Sequence, residues 1–254
     1  MIKRLPLLLA LLVPAVPVLA DQPADGPAAC RVAQHQVENN FKLSRVARAI
    51  AGKHLDILVL GAGSSSLPGS DGAKNSYPAR LQAVLEEMLP GVTVKVTTDV
   101  KARRTAAEMV QGLPADLAAA KPALVIWQTG TVDAMQSVDP DQFNRALDMG
   151  ISATRAAGAD IVLVNSQYSP RTDSMIALGT YADNMRWVAV QHEIPLFDRF
   201  SIMKLWADLG TFDFYAATKK FDMAEKVHDC IGRLLADLVI GATKPEEPPA
   251  IGGQ

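Results

Sequence analysis

Five short apolar runs, each separated from the next by a longer amphipathic stretch, constrain this chain most. They are residues 55–60 (LDILVL), 92–97, 123–127 (ALVIW), 161–164 (IVLV) and 194–197. Most are apolar on both faces, the pattern of strands buried in a parallel sheet. Pro195 marks the last run as an edge strand, because proline cannot donate to a ladder. Between the runs, residues 77–88 place Leu81, Val84, Leu85 and Met88 on one helix face. Residues 105–113 (stopped by Pro114), 140–157, 174–191 and 224–238 read as helices in the same way. Residues 201–209 form a shorter helix, and 32–51 a helix before the first strand. Repeated strand–helix alternation implies a parallel sheet covered on both faces.

Residues 1–20 (MIKRLPLLLALLVPAVPVLA) stand apart. Lys3 and Arg4 precede an apolar run that ends in small residues, the form of a secretory signal peptide cleaved after Ala20. A membrane anchor is the competing reading, but a run of about 14 residues falls short of the roughly 20 that a span requires. No later stretch is apolar enough to cross a membrane. The chain then divides into the signal peptide (1–20), an N-terminal segment and helix packed on the domain (21–54), the α/β domain (55–242) and a disordered tail rich in Pro, Gly and charge (243–254).

Export changes the charge and the meaning of the cysteines. The 25 Lys and Arg against 27 Asp and Glu give −2, which becomes −4 once Lys3 and Arg4 leave. That balance excludes a nucleic-acid binder, which carries a basic excess. A 49% hydrophobic content excludes a disordered chain. Two cysteines are too few for a disulfide scaffold or a four-cysteine zinc site, and no cluster shows metal-ligand spacing. No metal or cofactor is expected. In an oxidising compartment Cys30 and Cys230 pair as a disulfide; two free buried thiols are the alternative.

In open parallel sheets the ligand site lies at the carboxyl ends of the strands. After the first run comes Gly61-Ala62-Gly63-Ser64-Ser65-Ser66. The third leads to Gln128-Thr129-Gly130-Thr131-Val132-Asp133, and the fourth to Asn165-Ser166-Gln167-Tyr168. Near the C-terminus stands Glu225-Lys226-Val227-His228-Asp229. A serine-bearing turn, a Gly-led polar loop and a late acid–His pair are the parts of a nucleophilic hydrolase. The Gly/Ser loop also suits a phosphate at a helix start, though it lacks the Gly-Lys-Ser/Thr ending of a P-loop. Trp127, Trp187 and Trp206 are read as packing the core or its edge. Arg103 and Arg104 either guide an anionic substrate or form a solvated pair.

Over roughly residues 55–240 this arrangement resembles the SGNH (GDSL-type) hydrolases, a family of esterases, lipases and carbohydrate deacetylases. The resemblance implies a flavodoxin-like three-layer α/β/α sandwich with a mostly parallel five-stranded sheet. Gly63-Ser64-Ser65 takes the place of Gly-Asp-Ser, making Ser65 the nucleophile and its N–H an oxyanion donor. Glu225-x-x-His228 takes the place of Asp-x-x-His, with Gly232 following. His228 is then the base and Glu225 its orienting acid, with Asp222 and Asp229 as competitors. His35, His54 and His192 fit the base role less well.

Two further departures from the family pattern matter more. Arg103 stands where the second motif has Gly, and its backbone N–H still serves if Arg adopts the same dihedrals. Val132 replaces the Asn of Gly-x-Asn-Asp and cannot donate; losing such a donor costs about 10²–10³ in rate. Thr131, Asn165 or Gln167 are candidate replacements, beside Gly130. The expected function is a secreted or periplasmic serine hydrolase acting on a small-molecule or carbohydrate ester, with no cofactor and no nucleic acid. An acyltransferase would use the same residues. The changes at Ser64, Arg103 and Val132 also suit a catalytically silent binding protein that keeps the fold.

Overall fold

The computed structural model describes residues 29–38, 40–215 and 222–244; the expected signal peptide and nearly all of the C-terminal tail lie outside the described residues. In chain order the elements are α1 (Ser44–Ala51), β1 (His54–Gly61), α2 (Gly72–Asn75), α3 (Tyr77–Met88), β2 (Thr93–Val100), α4 (Ala106–Ala120), β3 (Leu124–Gln128) and α5 (Thr131–Met135). Then follow α6 (Pro140–Ala156), β4 (Asp160–Val164), α7 (Pro170–Asp173), α8 (Leu178–Gln191), β5 (Leu196–Phe197), α9 (Arg199–Asp208) and α10 (Asp222–Gly241).

The five strands form one sheet in the order β2-β1-β3-β4-β5, and every pairing is parallel. Ile57 of β1 lies opposite both Val96 of β2 and Leu124 of β3, which fixes the register. β3 and β4 are buried along their whole length, as apolar residues on both faces require. β5 is an edge, where the missing N–H of Pro195 leaves no ladder bond unmade. The strand order reverses between β1 and β3, so the crevice of the fold opens at their carboxyl ends.

Several helices differ from their expected extents. α4 does not stop at Pro114 but runs through it to Ala120. Met109, Leu113 and Leu117 continue one buried face across the proline, and their packing outweighs one lost backbone bond. Residues 32–51 are not a single helix: a 3₁₀ turn at Gln34–Gln36 precedes α1. The start of α1 is set by Asp160 at the head of β4, whose carboxylate accepts the N–H groups of Arg45 (2.7 Å) and Val46 (3.0 Å). The helix expected over 174–191 begins only at Leu178, and a separate short helix, α7, precedes it, capped by Ser169 through the N–H of Thr172. Trp127 and Trp206 are fully buried, but Trp187 is 64% exposed, since α8 turns Tyr181, Met185 and Val188 inward instead.

α10 closes the domain. Gly232 lets it approach α3 so closely that a Cβ there would stand 2.7 Å from Arg80 Cβ and 2.9 Å from the Leu81 amide. Cys230 on the same helix is disulfide-bonded to Cys30, and the N–H of Leu43 donates to the carbonyl of Ala242. Both links tie the N-terminal segment to the last helix. Among the described residues, no helix is long and apolar enough to cross a membrane.

Candidate active site

The turn after β1 brings Ser65 back over Gly61. A Cβ on Gly61 would lie 2.1 Å from Ser65 Oγ, so only glycine fits under this hydroxyl. Ser65 is completely buried, and its Oγ donates to Gln128 Oε1 at 2.8 Å. The Tyr77 hydroxyl donates to the same Oγ at 3.4 Å. Burial pushes the Tyr77 pKa up, so the phenol stays protonated and remains a donor. The backbone N–H of Ser65 closes its own turn on Ala62 O at 2.9 Å. Contrary to expectation, that amide is spent within the loop and is not free to hold an oxyanion.

Gln128, the last residue of β3, organises the floor of the site. Its Nε2 donates to Ser64 Oγ, while its Oε1 accepts from both Ser65 and Arg199. Arg199 opens α9 and is 1% exposed. Its Nη1 donates to Ser64 O (3.0 Å) and Gln128 Oε1 (2.9 Å), its Nη2 to Gln167 Oε1 (3.3 Å), and its carbon Cζ lies 5.8 Å from the centre of the Tyr77 ring. Burial pushes its pKa down to about 10, which still leaves it cationic at neutral pH. Sequence reasoning named Gln128 but gave it no role, and it passed over Tyr77 and Arg199.

His228 is 5% exposed on α10, and its Nδ1 accepts the backbone N–H of Tyr77 at 2.9 Å. That amide belongs to the first turn of α3, where no intrahelical acceptor exists, so the imidazole caps the helix. A nitrogen that accepts an N–H carries no proton, so the neutral ring bears its hydrogen on Nε2. Burial, with the nearby positive charge of Arg199 second, pushes the His228 pKa down to about 3. The ring is therefore neutral across physiological pH.

The acidic partner is not where the motif implied. Glu225 Oε1 accepts from Asn75 Nδ2 at 2.9 Å, bridging α10 to α2 instead of orienting His228. Asp229 pairs with Arg233 at 2.8 Å, and Asp222 is exposed. None of the three bonds the imidazole among the described residues.

The remaining candidates divide between backbone and packing roles. Arg103 has φ +64, the left-handed conformation that a glycine would adopt there, and its side chain is exposed. Arg104 is not solvated: it donates to Asp99 Oδ2 (2.6 Å), Asp99 O (2.7 Å) and Gly61 O (3.2 Å), locking the ends of β1 and β2 together. Asn165 is engaged with the start of α9: one Nδ2 hydrogen goes to Asp198 Oδ1 (2.7 Å) and its Oδ1 accepts from the Phe200 amide (2.9 Å). Gly130 (φ +95) turns the chain into α5, Thr131 Oγ1 is buried without a partner, and Val132 packs on the core. Asp133 accepts the Ala106 N–H at 2.9 Å and so caps α4.

Beside these residues lies a cavity of about 390 Å³, whose lining includes the polar Ser64, Ser66, Gln167, Tyr168, Arg199 and His228 and the apolar Leu67, Met203, Phe214 and Val227. Its volume falls within the roughly 300–1,000 Å³ of small-molecule sites.

No curated protein matches the chain in sequence. Solved structures do match in fold. LAE5, an alpha/beta hydrolase enzyme from the metagenome of Lake Arreo, Spain, is 18% identical with a TM-score of 0.60, covering 75% of this chain and 97% of its own. A catalytic mutant of Axe2, an acetylxylan esterase from Geobacillus stearothermophilus, is 17% identical with a TM-score of 0.60, over 76% of this chain and 97% of its own. TesA is 23% identical with a TM-score of 0.54, over 73% and 97%. These likenesses establish the shared architecture. Residues 29–245, which take in all five strands and the disulfide, match the non-GDSL lipase-like family, and the chain belongs to that family.

Proposed function

We propose that the protein is an exported ester hydrolase in which Ser65 is the nucleophile and His228 its base. The observation that carries this reading is Ser65 itself. Its hydroxyl is buried at the carboxyl end of β1, at the switch point of the sheet, and is held by Gln128 and Tyr77, with its neighbours Ser64 and Ser66 lining the cavity. Ser65 Oγ would add to the acyl carbon as its proton passes to His228, which returns it to the leaving alcohol. His228 accepts a proton at Nε2 only from a ring state that carries its own proton on Nδ1. In that state the Tyr77 amide loses its partner, at about 1–3 kcal/mol, or roughly 5- to 150-fold in rate. Slow turnover follows.

The apolar wall suits the acyl part of the substrate. Gln167, Tyr168 and Ser169 offer hydrogen bonds to the alcohol part, for which a carbohydrate is the class we favour. Axe2, an acetylxylan esterase, shares the fold and gives that choice its analogy. The Cys30–Cys230 disulfide suits a periplasmic or extracellular setting, and residues 1–20 supply the route, with cleavage after Ala20.

A second reading is favoured by one observation: His228 Nδ1 is committed to Tyr77, and no described carboxylate orients the ring. That arrangement suits a ligand-binding member without turnover. The two readings separate when wild type, Ser65→Ala and His228→Asn are exposed to a fluorophosphonate probe and to p-nitrophenyl acetate. The hydrolase labels and turns over slowly, loses both with Ser65→Ala and loses most turnover with His228→Asn. A wild type indistinguishable from Ser65→Ala leaves the binding protein as the correct reading.

A further inference from the structure

Arg199 carries a charge that the fold does not balance. It is 1% exposed, yet among the described residues it has no carboxylate partner; its acceptors are a carbonyl and two amide oxygens. A buried cation held only by neutral groups is costly, and a second buried charge of opposite sign offsets that cost. The hydrogen bonds are also unevenly spread over the guanidinium. Nη1 makes two, whereas Nη2 makes a single bond at 3.3 Å and Nε makes none. Nε is closed off from solvent, so Nη2, with its single long bond, is the guanidinium group left to meet an anion.

Arg199 lines the 390 Å³ cavity, whose lining also includes the apolar Leu67, Met203, Phe214 and Val227. We propose that this cavity is a carboxylate-binding site, in which Arg199 receives the carboxylate of an amphiphile whose apolar body lies along Leu67, Met203, Phe214 and Val227. The pairing supplies the missing negative charge and removes apolar surface from water in one step. The lowered pKa values of Arg199 and His228 agree with a positive, desolvated wall. The proposal goes beyond hydrolysis and does not require it, because binding is read without turnover.

Isothermal titration of the purified chain at neutral pH with octanoate, octanamide and acetate tests it. Octanoate binds about tenfold or more tightly than octanamide, which matches its shape without its charge. It also outbinds acetate by a similar factor, because acetate lacks the apolar body. In Arg199→Met the preference for octanoate over octanamide disappears, and in Arg199→Lys part of it returns. Equal affinity for octanoate and octanamide in the wild type, or no binding of either, overturns the carboxylate site. Acetate binding as tightly as octanoate overturns the role of the apolar wall. If Arg199→Met does not fold, the octanoate–octanamide comparison in the wild type decides alone, since a merely structural arginine would not distinguish the two.

Discussion

Gly61 and His228 show how single residues set the chemistry of the crevice. Gly61→Ala drives a methyl group into Ser65, whose Oγ and Cβ stand only 2.1 and 2.8 Å from the place that methyl would occupy. Overpacking of this kind costs about 1–3 kcal/mol. The variant should melt lower and lose fluorophosphonate labelling; unchanged labelling would mean that the turn relaxes around the methyl. His228 makes stability depend on pH. Its imidazole moves from an ordinary 6.5 to about 3 in the fold, so between those values unfolding takes up a proton. Stability is full above about pH 6.5 and falls on acidification by up to about 1.4 kcal/mol per pH unit. His228→Asn keeps an acceptor for the Tyr77 amide and removes the titration, so urea midpoints between pH 7 and pH 4 should fall less steeply. Identical slopes would assign the acid sensitivity to other groups. The motif pattern drew attention to Ser65 and His228, but not to where their hydrogen bonds go. Tyr77 intervenes between them, and nothing in the spacing of a tyrosine at a helix start announces that.

At the scale of elements, periodicity located every strand to within three residues at either end and misjudged helices where a tertiary contact decides. Pro114 ends a helix by local rules, yet the buried face formed by Met109, Leu113 and Leu117 carries α4 through it. The start of α1 depends on Asp160, more than a hundred residues away in sequence, which no local pattern reveals. Asp160→Ala leaves two helix N–H groups without their acceptor, and a loss of about 1–2 kcal/mol is expected in chemical denaturation. A loss below a few tenths would mean that water replaces the carboxylate. Gly232 governs the α3–α10 contact. With the Leu81 amide 2.9 Å from its absent Cβ, Gly232→Ala must move one helix against the other. That shift would reach the Tyr77–His228 bond on the same two helices, and a shifted imidazole resonance beside a lowered melting temperature is the expected signature.

For the whole molecule, the sheet order places the crevice between β1 and β3, where Ser65 and Gln128 meet; the alternation of apolar runs pointed to the carboxyl ends of a parallel sheet but not to which pair of strands. The lone buried charge of Arg199 was not foreseeable, because it is defined by the absence of a carboxylate in three dimensions. The disulfide spans 200 residues of sequence and joins the two ends of the domain. Its removal by Cys30→Ala with Cys230→Ala should cost about 2–5 kcal/mol, measured as a lower melting temperature that reductant reproduces in the wild type. No change in either would show that Leu43 and Ala242 already hold the ends together. The same bond imposes an order on biosynthesis. Cys30 is made 200 residues before Cys230, so its partner does not exist until those residues have followed. Until then Cys30 has no correct partner within the chain, and closure of the intramolecular bond reports that α10 has docked.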